Sequence, residues 1–328
     1  MVMRVTNRRR LAGFTLIELL VVIAIIALLI GILLPALGRA RTAGQLAVSL
    51  SNSRQVLLGS EQYRGDNDGF LPWYQLSSPQ WIGFCPWAFG GKHNNDEWRQ
   101  VYSRLFDVSA HERPLNKYLY PDLQWDPEAA GLRRQQVPDP ATGGTQTRWT
   151  PTPAQKDALD LPIYRNPADK AEYVWYILRQ SGSPVTGSPR AEDTFNESTY
   201  DFDGSSYQTN MKWWQLIRSL NGDFNVAFRK GMSRFRTGAD FNPSQFATFT
   251  DEVGMAVSWY GARNNGAGLE NGFGDINRSV MSFFDGHASY KEMEFGAFRT
   301  KDYSFVFYNP GERQALEDLE EEYTATTN

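Results

Sequence analysis

The sequence predicts an α+β fold. A long N-terminal helix, with a membrane-spanning half and an amphipathic half, packs on a globular domain with a small antiparallel β-sheet and long loops. Three observations lead there. An apolar run from Phe14 to Leu37 passes without a break into helical periodicity that reaches Tyr63. The chain then enters Arg64-Gly65-Asp66-Asn67-Asp68-Gly69-Phe70-Leu71-Pro72. Gly, Asn and Asp supply turns here, and Pro72 cannot continue a helix. Short aromatic and β-branched runs separated by turns fill the later part, and one helix followed by strands argues α+β.

The apolar run comes first. Phe14 to Leu37 at about 1.5 Å per residue spans roughly 36 Å, against a hydrocarbon core of about 30 Å. Arg4, Arg8, Arg9 and Arg10 precede it with no acid among them. Cationic flanks stay cytoplasmic, so the expected orientation is N-terminus inside, C-terminal domain outside. Glu18 is the sole charged residue between Phe14 and Gly38. A carboxylate there costs about 2.5–3.5 kcal/mol on insertion scales, which suits a residue kept for a partner. A secretory signal removed whole needs a shorter apolar core and a small-x-small cleavage site. Instead Ala36-Leu37-Gly38-Arg39-Ala40-Arg41 continues as helix. A plain anchor leaves Glu18 without a purpose.

Gly13-Phe14-Thr15-Leu16-Ile17-Glu18 resembles the type III signal of type IV prepilins and type II secretion pseudopilins. The resemblance implies cleavage after Gly13 by a prepilin peptidase and N-methylation of Phe14. It implies that Glu18 neutralises the terminal amine of a neighbouring subunit during assembly. Pro35 falls where members of that family commonly carry a helix-bending proline. The implied partners are other pilin or pseudopilin subunits, the prepilin peptidase/methyltransferase, an inner-membrane assembly platform and membrane lipid. The implied location is the bacterial inner membrane, single pass, and a filament after assembly.

Composition agrees with an anchored extracytoplasmic protein. Of 328 residues 41% are hydrophobic, yet the mean hydropathy is −0.48, so the part outside the anchor is polar. The formal charge is −4, and removing a leader with four arginines takes it to −4 − 4 = −8. Such a chain has no general affinity for nucleic acid, which is held by Lys and Arg on phosphates. The single cysteine, Cys85, excludes an intrachain disulfide.

The remaining elements follow in order. The expected segments are a cleaved leader at 1–13, a membrane and assembly helix at 14–37, and its amphipathic extension at 38–64. A pilin-like domain at 65–310 contains a long loop at 121–169, and an acidic tail fills 311–328. In the extension Ala40, Ala43, Ala47, Leu50 and Leu57 recur at helical spacing. Asp66 and Asp68 are the candidate ligands for calcium, the one cofactor suggested. The twelfth position of an EF-hand-type loop here is Ser77, so a tight turn explains the stretch better. Residues 97–105 read as a short helix, 113–119 as a second short turn or helix, 171–178 as a strand, and 211–220 as a helix. Strands are expected at 225–228, 245–250, 255–260, 280–284 and 303–308. The tail around Glu317 to Glu322 reads as a solvated, frayed helix.

Ser206 to Met211, Phe249 to Glu252 and Ser282 to His287 resemble recurring segments of a large pseudopilin-like group. That group ends in a His-x9-Asp-Gly pattern. Here Asp285-Gly286 is present and Asp275 replaces the histidine, so no role is borrowed for it. Asp-Gly between two strand-like runs is in itself a hairpin signal.

Catalysis has no motif behind it. The three histidines, His93, His111 and His287, lie at no metal-ligand spacing, and there is no phosphate loop or nucleophile elbow. His287 with Asp251, Glu252, Asp275 and Asp285 could meet in space, but turns recruit Asp heavily. The expectation is a structural subunit, not an enzyme. The alternative is an anchored or filament-tip adhesin that binds substrate through its aromatics. Trp73, Tyr74, Trp81, Trp87, Trp98, Trp125 and Trp149 are its candidates. Buried, scattered tryptophans would favour the first reading and an exposed patch the second.

Overall fold

The computed structural model describes residues 16–73, 75–77, 82–84, 86–94, 108–138, 145–169, 198–238, 240–260, 269–294 and 296–325. The chain divides into two compact units, Met1–Gly44 and Gln45–Asn328. The described residues of the first unit are helix: α1 runs over Leu16–Asp66 and continues into the second unit.

In the second unit β1 (Gln75–Ser77) pairs antiparallel with β2 (Ile82–Phe84). A 3₁₀ turn at Ala110–Glu112 precedes α2 (Asn116–Leu119). The strands β3 (Arg133–Pro138) and β4 (Thr145–Thr150) form a hairpin. After α3 (Pro153–Ala158) and α4 (Thr199–Asp203) comes β5 (Tyr207–Thr209). Helices α5 (Lys212–Asn221) and α6 (Phe224–Thr237) lead to β6 (Ala247–Asp251) and α7 (Glu252–Tyr260). The strands β7 (Arg278–Phe283) and β8 (Ala288–Glu292) precede α8 (Arg313–Ala325).

The central sheet has the order β5-β6-β7-β8, antiparallel throughout. Alternate side chains leave it on opposite faces. Val280 and Tyr207 join Phe249 in packing on Val56 and Leu57 of α1. Met281 and Phe283 pack on Val253 and Val257 of α7. The sheet thus lies between the second half of α1 and α7. A third cluster joins α5 and α6 through Trp213, Phe228 and Phe235 to Phe246 and Phe307. Arg113, buried, ties the surrounding loops together by donating to the carbonyls of Trp87, Gly90 and Asp203.

The sheet brings together all three segments whose likeness to the pseudopilin-like group is visible in the sequence. Tyr207 pairs with Asp251, Gln208 with Thr250 and Thr209 with Phe249. Phe249 in turn pairs with Ser282. The Asp285-Gly286 hairpin is present between β7 and β8, with Gly286 at φ 101°.

Several expectations are corrected. The stretch 121–169 is not one long loop but carries the β3–β4 hairpin, α3 and a 3₁₀ turn at Pro162–Tyr164. Leu161 and Tyr164 anchor it in the core. Residues 225–228 are helix, not strand. Their aromatic alternation reads as a strand, and Gly231 argues against a helix by propensity. Gly231 is required because Trp213 lies on it: a Cβ there would stand 1.9 Å from the ring. Residues 255–260 belong to α7, where Val253, Ala256 and Val257 are buried at helical spacing. Tyr303 to Tyr308 is not a strand: it bends at Phe305 and Val306 and bridges at Ser304, to Phe246 and Arg299. The acidic tail is docked, with Leu316 and Leu319 packing on Leu216, Phe298 and Val306. The expected helix at 97–105 and strand at 171–178 lie outside the described residues.

Candidate functional site: the N-terminal helix

The first half of α1 is apolar on every side. Leu16, Leu28 and Leu37 are 85%, 65% and 68% exposed. The helix is long and apolar enough to cross a membrane. Helical backbone satisfies its own polar groups, the condition for crossing lipid as a single segment. Glu18 stands in the first turn. The helix continues through Pro35, whose ring removes one N–H from the ladder and faces the carbonyl of Gly31 one turn earlier. Gly13 and Phe14 lie outside the described residues.

The second half of α1 is built into the domain. Ser49, Ser53, Val56, Leu57, Gly59 and Ser60 are buried, whereas Ala47 of the expected stripe is exposed. Small residues on the packed face let the backbone approach closely: Gly59 leaves room for Leu119, which a Cβ would meet at 2.7 Å. Polar bonds fix the register. Tyr207 of β5 donates its hydroxyl to the Ser49 carbonyl at 3.0 Å. Asn52 donates to the carbonyls of Pro162 and Arg165 at 3.0 and 2.9 Å. Gln45 donates to the Pro167 carbonyl at 2.9 Å. At the far end Arg64 pairs with Glu61 and lies over the Phe284 ring.

Asp66 closes α1, and Asp68 follows with φ 52°. Between them Asn67 donates to the Tyr63 carbonyl at 2.7 Å and to the Tyr118 hydroxyl at 3.3 Å. The stretch is a hydrogen-bonded turn, and among the described residues no three His, Cys, Asp or Glu side chains converge as a metal site.

Among the described residues His287, Asp251, Glu252, Asp275 and Asp285, weighed above against ordinary turns, do not gather into one cluster. His287 bonds Asp285 at 2.5 Å and stacks on Phe283 at one end of β7. Asp251 lies at the other end, accepting from Ser279, the Val280 N–H and the Gly254 N–H. Asp275 accepts from the Tyr290 hydroxyl at 2.9 Å. Sequence reasoning missed the partner that Asp251 and Glu252 do meet, Asp169, because it sits in the stretch expected as a loop. These three surround a cavity of about 20 Å³, room for one water. Asp169 holds the N–H groups of Thr199 and Tyr200 and the Ser206 hydroxyl. Burial raises all three carboxyls, Asp251 to about 6 and Glu252 well above the usual range, with the Asp169 charge adding to the effect on Glu252.

Trp73, Trp87, Trp213 and Trp214 are buried, and Trp125 and Trp149 are half-buried. Tyr74, Trp81 and Trp98 lie outside the described residues.

The geometry defines a class: a long apolar N-terminal helix carrying an early carboxylate and continuing into an α+β domain. The family model of the prokaryotic N-terminal methylation motif matches residues 8–34. That match, with the long apolar helix, fits a type IV prepilin or pseudopilin-like protein, and points to a structural pilin-like role. The motif implies pilin subunits and a prepilin peptidase as partners in general, and fits membrane anchoring and a filament. No curated protein and no solved structure matches the chain.

Proposed function

We propose that the chain is a structural pilin or pseudopilin subunit of a type IV pilus or type II secretion pseudopilus. It is inserted with its arginine leader on the cytoplasmic side of the inner membrane and cut after Gly13. Phe14 becomes the methylated terminus, and the apolar half of α1 leaves lipid to pack among the same helices of neighbouring subunits, with Pro35 inside that packed span. The observation that carries this is the methylation motif on a helix that is apolar all round and then becomes part of a folded domain.

Glu18 supplies the assembly step. The terminal amine of a neighbour offers it an opposite charge where the dielectric is low and the attraction is strong, though desolvation opposes it. Close packing at Gly and Ala positions adds to helix association. The assembly platform of the inner membrane supplies the extraction. No catalytic step and no nucleic acid is involved, and calcium at Asp66 and Asp68 is not needed for it.

Mass spectrometry of the mature protein tests the processing: the chain should begin at methylated Phe14, and an intact leader overturns the reading. Glu18→Ala should insert in the membrane as wild type does yet fail to enter filaments. Incorporation at the wild-type level would remove the assembly role from Glu18.

A further inference from the structure

The domain carries two oppositely charged helices and a groove beside one of them. Helix α6 bears Arg229, Lys230, Arg234 and Arg236 with no acid. Helix α8 bears Arg313 against Glu317, Asp318, Glu320, Glu321 and Glu322. Arg234 is used within the domain, pairing with Asp240 and Glu312, and Glu320 accepts from the Phe298 N–H. Arg229, Lys230 and Arg236 are exposed on α6, as are Glu317 (which pairs with Arg313), Asp318 (which accepts from Gln314) and Glu321 on α8.

Beside α6, against the end of α1, lies a groove of about 670 Å³. Its floor is apolar, with Leu71, Phe228 and Met232. Arg229 and Arg236 stand on its rim with Asp68, and Arg236 lies over the exposed ring of Phe70 at 5.5 Å. Such a volume takes a helix face or a row of side chains. The two cations on the rim select an acidic occupant.

We propose that this groove receives the acidic face of α8 from a second copy of the chain. The donor and acceptor surfaces are different patches of the same domain, so the contact is heterologous, and repeated contacts of this kind build open helical arrays. Complementary charge sets the register and partner choice. The proposal rests on the filament reading above and names the domain-to-domain contact that α1 packing leaves open.

Two tagged copies, both in a Cys85→Ser background, are co-expressed as full chains. One carries Ser233→Cys, on the groove wall, and the other Asp318→Cys, on α8. A short bis-maleimide should give a mixed dimer in the assembled fraction. Arg229→Glu with Arg236→Glu in the first copy should lower the yield by about tenfold, and Glu317→Arg with Glu321→Arg in the second should restore it to within about twofold. Assembled chains that give no product, or a yield insensitive to charge reversal, overturn the groove contact and leave α1 assembly standing. A charge-sensitive product in chains that never enter a filament supports the contact and overturns the filament reading.

Discussion

Burial of Glu252 beside Asp169, Asp203 and Asp251 works against its ionisation. Its Oε2 accepts from the Thr199 hydroxyl, while Oε1 is buried with no hydrogen-bond partner among the described residues. A carboxyl held above its unfolded value contributes stability that is complete below the unfolded pKa and is lost as pH rises through the folded one. Glu252→Gln removes that dependence. Compared at about pH 5 and about pH 8, the variant should therefore gain on wild type as the pH rises. Urea unfolding at both pH values reads this directly. His93, buried and lowered to about 2, titrates equally in both chains and cancels in the difference. A constant difference across that range would mean that Glu252 is ionised throughout.

At the scale of elements, α1 and the β7–β8 hairpin were legible, for the same physical reason. Each is specified locally, by an unbroken apolar run and by Asp285-Gly286. Helix α6 was not legible, because its alternating Phe224, Val226 and Phe228 mimic a strand and its Gly231 answers to a tryptophan 18 positions earlier in the chain (231 − 213). The seat of α1 was also hidden: Ser49, Ser53 and Ser60 carry no apolar signature, yet they make the buried face. Gly231→Ala follows from this. On an isolated helix it would add about 1 kcal/mol. Here the new methyl meets the Trp213 ring, so the domain should lose about 1–3 kcal/mol, seen as a lower thermal midpoint. Gly65→Ala, in the last turn of α1 with nothing within 4 Å, serves as the contrast and should not destabilise.

For the whole molecule, the handle and the domain are separable in what fixes them. Residues 8–34 carry the recognised motif, and the apolar clusters of the domain begin at Leu46 and Leu50 of α1. The motif and the apolar run were readable because each is written in consecutive residues. The acidic trio at Asp169, Asp251 and Glu252 was not, since only the folded sheet brings it together. Gly13→Val should accordingly retain the leader, visible as a heavier chain by mass spectrometry. It should leave the stability of the domain within about 0.5 kcal/mol of wild type, as for a substitution remote from the core.

The carboxylate of Asp169 grips the backbone of Thr199 and Tyr200, positions 30 and 31 residues further along. Two backbone amides answering to a single carboxylate make Asp169 a latch between the segment that ends in it and helix α4, which opens at Thr199.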